Sequence, residues 1–275
     1  MSDTSINPGI TPGIIPGTGA AVAAALGLPV FTHDLFMPRY TPMARGDWTL
    51  RVVNFQMVRG YWSGLWALPA MPILNRRDAE GRVLPWMSMS PLEIESQEIG
   101  ARAARGHTVI HGLGMGWAAA VCALRPEVAR VTVVELDPSI IDLVEAQGVF
   151  AQLPADAAAK ITVVRGDADA WTATEPVDLL FPDIWQPLWG PDRRHQVRRM
   201  WENAGRPPAV YYFGQEVELV DMALKAGRAL DADGVARTVA ETGLPLVGPE
   251  RPDWLDILRA IATRPDLREP GAGRP

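Results

Sequence analysis

From residue 108 onward, short apolar runs alternate with longer stretches of helical period. The runs fall at 108–111, 131–135, 161–165, 177–181 and 209–213. Between and after them, 117–124, 138–147, 193–203 and 216–230 read as helices. A short apolar run without polar alternation is a strand buried on both faces, and strands separated by helices lie parallel. The predicted fold class is therefore α/β, a doubly wound and mostly parallel sheet. Local punctuation agrees. Ser90-Pro91-Leu92-Glu93 joins an N-cap, a proline at the first helical position and a capping-box glutamate. Ile94, Ile99 and Ala103 then share a face, and Gly106 is expected to stop that helix. Asp137-Pro138 opens the helix 138–147 and Gly148 closes it.

The flanks read differently. Residues 1–30 carry the repeats Pro8-Gly9, Pro12-Gly13 and Pro16-Gly17 and are expected to be a flexible arm. Residues 31–89 are expected to form a small β-rich N-terminal subdomain. Its predicted strand 48–55 is rich in β-branched residues, and a hairpin joins 67–74 to 82–89 across the turn-like 75–81. Tyr40, Trp48, Met57, Tyr61, Trp62, Trp66 and Trp86 concentrate there, either as the core of that subdomain or as the wall of a pocket. The α/β domain is expected over 90–250, with 235–240 read as one more strand. A helix over 254–262 and a frayed end complete 251–275.

Composition narrows the function class. The chain is 48% hydrophobic and 21% charged, ordinary values for a globular protein. A net charge of -6 speaks against a general grip on nucleic acid, which needs clustered cations. No apolar run approaches the ~20 residues that span a bilayer, and Ala20–Val30 lacks the basic lead of a signal peptide. A cytoplasmic protein without a membrane or nucleic-acid partner is expected. One cysteine, Cys122, allows no internal disulfide, and the histidines at 33, 107, 111 and 195 have no zinc-site spacing.

Four candidate signals stand at successive predicted strand ends. The first is His111-Gly112-Leu113-Gly114-Met115-Gly116-Trp117, a glycine-rich turn between a strand and a helix. Such a turn lets a ligand approach the backbone, and the helix start favours negative charge. Its spacing departs from the dinucleotide fingerprint, whose third glycine falls one place later. The second is Glu135, 23 residues after Gly112, placed to accept hydrogen bonds from ribose hydroxyls. The third is Gly166-Asp167-Ala168, where a carboxylate could take the exocyclic amine of adenine and the backbone its ring nitrogens. The fourth is Asp183, just past the run 177–181, where it could orient or deprotonate a nucleophile. Each also has a plainer reading, as a turn, a cap or a solvated strand end.

In this order, residues 108–213 resemble the class I S-adenosylmethionine-dependent methyltransferases, which have a Rossmann-like fold. The stretch Pro126–Pro138 is similar to the spermidine synthase group. The resemblance implies S-adenosyl-L-methionine as cofactor. It places Gly112, Gly114 and Gly116 under the methionine part, Glu135 on the ribose, and Asp167 and Ala168 on adenine. It makes Asp183 the catalytic residue facing the transferred group. His111 stands where the family usually has an acid near the cofactor ammonium. Asp183-Ile184-Trp185-Gln186-Pro187 lacks the second acid of the Asp-Ser-x-Asp-Pro loop typical of aminopropyltransferases. That favours methyl transfer to a small-molecule acceptor over aminopropyl transfer, with a non-catalytic cofactor-binding or assembly protein as the third reading. Glu93, Glu95 and Gln97 are either further ligand contacts or an exposed helix face. Trp185, Trp189 and Tyr211 are candidates for the acceptor wall, and a homodimer is a plausible partner state.

Overall fold

The computed structural model describes residues 18–268. Its first element is a helix, α1 (Thr18–Ala25). That corrects part of the expected arm 1–30, of which residues 1–17 lie outside the described residues. The Pro-Gly repeats end at Gly17, and the alanine-rich stretch after them has high helix propensity. α1 packs on the second long strand of the sheet that follows, and a Cβ at Gly19 would collide with the Pro69 backbone.

Four antiparallel strands come next: β1 (Met43–Arg45), β2 (Trp48–Arg59), β3 (Leu65–Arg77) and β4 (Val83–Ser88), in sequential order. The expected pairing of β3 with β4 is present. The longer partnership is β2 with β3, in register from Trp48↔Arg76 to Arg59↔Leu65. β2 runs four residues past the expected strand 48–55, to Arg59. α2 (Pro91–Ala103) then begins where its cap predicts, with the Glu93 amide donating to Ser90 Oγ at 3.3 Å. Gly106 does not end this helix. The helix stops at Ala103, and Gly106, at φ +49, starts the next strand with its backbone against Asp178.

The second sheet is parallel. Its strands are β5 (Gly106–His111), β6 (Val128–Glu135), β7 (Ile161–Arg165) and β8 (Leu179–Pro182), in the order β7-β6-β5-β8. The first two connections are helical, α3 (Trp117–Ala123) after β5 and α4 (Pro138–Gln147) with the single turn α5 (Ala155–Ala158) after β6, whereas β7 runs to β8 without a helix. From β5 the chain steps outward through β6 to β7, then returns to the other side of β5 as β8. The strand order reverses between β5 and β8, which makes the fold Rossmann-like and sets a crevice at the strands' carboxyl ends.

After β8 come α6 (Arg193–Asn203), α7 (Gln215–Lys225), α8 (Ala232–Thr242) and α9 (Trp254–Ala262). The predicted strand 209–213 runs parallel beside β8, but the ladder is only a bridge at Val210. Tyr211 N donates to Leu180 O and Phe213 N to Pro182 O, each at 3.0 Å. On its other side Val210 bridges to Leu246. The predicted strand 235–240 is instead helical, within α8. Asp231 caps that helix through Gly234 N at 2.8 Å, Gly243 closes it at φ +61, and Val235, Thr238 and Thr242 are buried at helical spacing. The expected frayed end also needs correction: Leu267 and Arg268 are buried, while 269–275 lie outside the described residues. Among the described residues no helix is long and apolar enough to cross a membrane.

Candidate functional site

A cleft of about 610 Å³ opens at the carboxyl ends of the parallel strands. Gly112 and Gly114 line it from the β5 end, Glu135, Leu136 and Asp137 from the β6 end, and Gly166–Asp169 from the β7 end. Asp183, Ile184 and Trp185 line it from the β8 end. The tertiary fold thus brings the four strand-end signals to one place.

The glycine loop needs glycine for two reasons. Gly112, Gly114 and Gly116 have φ of +95°, +52° and +81°, which side chains with a Cβ rarely adopt. A Cβ at Gly112 would also strike the carbonyl oxygen of Asp183, and one at Gly114 would stand 2.6 Å from Met87 Sδ. Asp183 N in turn donates to His111 O at 2.7 Å. The backbones of the β5 and β8 loops therefore run in close contact, and any larger residue at 112 would force them apart.

Glu135 closes the other side. One carboxylate oxygen accepts from Leu113 N and the other from Asp137 N, each at 2.8 Å. The first contact ties the β5 loop to the β6 loop, and the second shapes the turn after β6 itself. A carboxylate has about four acceptor lone pairs, so ligand hydroxyls can still be taken. Asp167 Oδ1 accepts from Asp169 N at 2.9 Å, an Asx turn that shapes the β7 loop, and Ala168 is buried against the core.

His111 does not face the cleft. Its ring is fully buried, edge-on to Trp171 with centroids 5.6 Å apart, and neither nitrogen has a hydrogen-bond partner. Burial pushes its pKa down to about 4, so the imidazole is neutral at physiological pH. A charge clash with a ligand ammonium is therefore removed.

Of the upstream acids, Glu93 reaches the cleft and Glu95 does not. Glu93 accepts from Gln97 Nε2 at 3.0 Å, and the capping-box return to Ser90 is not made. Protein packed closely around both carboxyls raises Glu93 to about 8, with Asp183 repelling it, and Asp183 to about 7. Glu95 is buried and takes the Trp62 amide at 3.0 Å and the Ser63 hydroxyl, a structural role. The expected exposed face for 93–97 is overturned: α2 is covered nearly all round, by the antiparallel sheet as well as by α3.

The N-terminal sheet supplies a roof that sequence reading left undecided. Trp48, Arg76, Trp86 and Met87 line the cleft, whereas Tyr40 and Tyr61 are buried elsewhere and Met57 is exposed. Trp48 Nε1 donates to Asp137 Oδ2 at 2.7 Å, and Gln186 Nε2 donates to Pro85 O at 2.8 Å. β2 therefore meets the loop after β6, and β4 the loop after β8. Trp185 lines the cleft as expected; Trp189 and the buried Tyr211 do not. Arg76, Leu136 and Asp137 were missed as lining residues. Asp137 carried a signal, but it read only as the cap of α4.

No protein-family model matches the chain, and no curated protein matches it. Solved structures match part of it. The glycopeptide N-methyltransferase MtfA, complexed with S-adenosyl-L-homocysteine, is 22% identical over 40% of this chain and 43% of that one, with a TM-score of 0.32. The methyltransferase domain of bacterial CtHen1 is 12% identical over 43% of this chain and 65% of its own, with a TM-score of 0.35. DhpI in complex with S-adenosyl-L-homocysteine is 17% identical over 40% and 47%, with a TM-score of 0.30. The chain thus spans less than two thirds of the length of each of these proteins.

Proposed function

We propose that this chain is an S-adenosyl-L-methionine-dependent methyltransferase that acts on a small-molecule acceptor. One observation carries the reading: Gly112 and Gly114 of the glycine loop, Glu135, Gly166–Ala168 and Asp183 line a single cleft where the strand order reverses, while Gly116 turns the loop against Val144 and Val149. The donor set suits the cofactor. Six acidic side chains line the cleft (Glu93, Glu135, Asp137, Asp167, Asp169 and Asp183), and even with Glu93 holding its proton at neutral pH the setting favours a cationic ligand. When bound, the cofactor supplies a methyl group on a sulfonium, already a good leaving group.

The protein's own task is then to hold, orient and shield. Gly112, Gly114 and Gly116 keep the loop open to the amino-acid end of the cofactor. Glu135 holds the ribose hydroxyls with its remaining lone pairs, and Asp167 and Ala168 receive adenine. His111 serves by supporting the loop from behind, through its backbone bond with Asp183, rather than by an ionic contact. Asp183 takes the proton of the acceptor. Its pKa near 7 makes it a better-matched proton acceptor at neutral pH than an ordinary aspartate. Trp48, Trp86 and Trp185 exclude water.

The test is calorimetric titration with S-adenosyl-L-methionine. Micromolar binding, weakened at least tenfold in Glu135→Ala, is the expected result. Undetectable binding by the wild-type protein would remove the reading. One observation favours a second reading, aminopropyl transfer of the spermidine synthase type. The stretch Asp183–Pro187 lacks a second acid, but Glu93 supplies one from α2 close enough to repel Asp183. Tighter binding of decarboxylated S-adenosylmethionine than of the intact form would move the case there.

A further inference from the structure

The cleft has one cationic lining residue against its six acidic ones, and that residue is Arg76. It projects from β3, opposite Trp48 in the β2–β3 register. Its guanidinium carbon lies over the Trp48 ring at 5.3 Å and the Trp86 ring at 5.6 Å. Those two indoles stand edge to face, 5.4 Å apart and 89° to one another, and form a corner that holds the guanidinium. Trp48 is itself pinned to Asp137. Among the described residues no carboxylate forms an ion pair with Arg76, whereas Arg82, Arg102, Arg130 and Arg251 each have one.

A guanidinium stacked on aromatic faces keeps its edge N–H donors available, and those donors match a carboxylate two at a time. The surrounding acids decide which anion is tolerated. A phosphate, with close to two negative charges, is repelled by the acidic lining more strongly than a singly charged carboxylate. We propose that Arg76, held in the Trp48–Trp86 corner, is the docking point for a ligand carboxylate in this cleft. The inference rests on the methyltransferase reading for its ligand. The carboxylate belongs either to the amino-acid end of the cofactor or to an acidic acceptor, and the two sources can be separated.

The experiment uses the full chain as wild type, Arg76→Gln and Arg76→Lys, with two ligand pairs. The first pair is S-adenosyl-L-homocysteine and its decarboxylated form, which keeps the amine and loses only the carboxylate. The second is benzoate and benzamide, titrated with and without saturating S-adenosyl-L-homocysteine and followed by indole fluorescence. In one pair the wild type prefers the charged member, and Arg76→Gln reduces that preference by about tenfold or more, the size of a charge-assisted hydrogen bond. Arg76→Lys recovers only part of it, because an ammonium lacks the two-pronged edge. Loss confined to the first pair assigns the carboxylate to the cofactor; loss confined to the second assigns it to an acceptor. If Arg76→Gln weakens the charged and neutral members alike, or changes neither pair, Arg76 is only a packing residue and the proposal is overturned. Failure of the wild type to bind either homocysteine compound would instead count against the cofactor reading. Benzoate titrated alone would then still decide the role of Arg76.

Discussion

Asp183 shows how much one side chain's surroundings change its chemistry. In water its carboxyl would be ionised throughout the physiological range. Enclosure at the end of β8 raises its pKa to about 7. If it accepts the acceptor's proton, turnover must be low while it is neutral and rise as it ionises. The expected profile for methyl transfer therefore climbs through pH 7 and levels off above about pH 8. Asp183→Asn should abolish most turnover and the climb with it, while the Kd for S-adenosyl-L-methionine stays within about threefold of wild type. A retained pH profile in that variant would take the role away from Asp183. The same residue was legible in the sequence because it follows an apolar run. Glu93 beside it was legible only as one of two alternatives, because the same Ser-Pro-x-Glu pattern also spells a helix cap.

At the scale of elements, the loop between β8 and α6 depends on Arg193. This side chain is buried. It donates to the carbonyl oxygens of Phe213 at 3.0 Å and Trp189 at 3.2 Å, as well as to that of Pro187. Its guanidinium also lies over the Trp185 ring at 4.7 Å. One residue at the start of α6 thus staples the loop that carries Asp183 and Trp185 to the segment beside β8. Burial lowers its pKa, yet it stays charged at any physiological pH. Lysine cannot reach three carbonyls at once. Arg193→Lys should cost roughly 1–3 kcal/mol in urea unfolding and shift the indole emission of Trp185. A change below about 0.5 kcal/mol would show that the loop holds without the staple. From sequence, 193–203 read only as a helix. Its first arginine turns inward because three strand-end and loop carbonyls there have no other donor.

For the molecule as a whole, both sheets share one hydrophobic core, which runs from Trp48, Leu50 and Leu74 through the parallel strands to Trp254 and Leu258. Within it sits a buried acid, Glu216. Its carboxyl lies 3.1 Å from the Tyr211 hydroxyl and 3.5 Å from both the Tyr61 hydroxyl and Trp254 Nε1. These contacts join α7, α9, the β2–β3 turn and the strip beside β8. Burial raises its pKa to about 7 in spite of the donors around it. The folded protein then holds a proton that the unfolded chain releases near pH 4.5. Stability from this group is full below that pH and is lost as pH rises toward 7. Glu216→Gln, which cannot ionise, should remove this dependence. The stability difference between wild type and variant is expected to change by about 3 kcal/mol between pH 4.5 and 8, from the shift at 1.36 kcal/mol per unit. Parallel stability curves would mean that Glu216 is ionised in the folded protein.

The sequence by itself determined what depends on near neighbours along the chain. The period of apolar residues specified the parallel strands β5 to β8 and α3, α4, α6 and α9, close to their true limits. The caps at Ser90 and Asp137 and the positive-φ glycines of the loop are equally local, since each is a matter of backbone sterics or a bond within a few residues. Only the tertiary structure decided the rest. Val235–Ala240 has enough β-branched residues to read as a strand, and its helix is set by a cap at Asp231 and by burial of one face. His111 occupies a site position in sequence yet is turned away by packing against Trp171. Arg76 and Trp48 enter the cleft because a hairpin folds back over the parallel sheet, a contact between residues more than 80 positions apart in the case of Trp48 and Asp137. Such long-range choices depend on which faces the whole chain can bury together, and no local pattern records them.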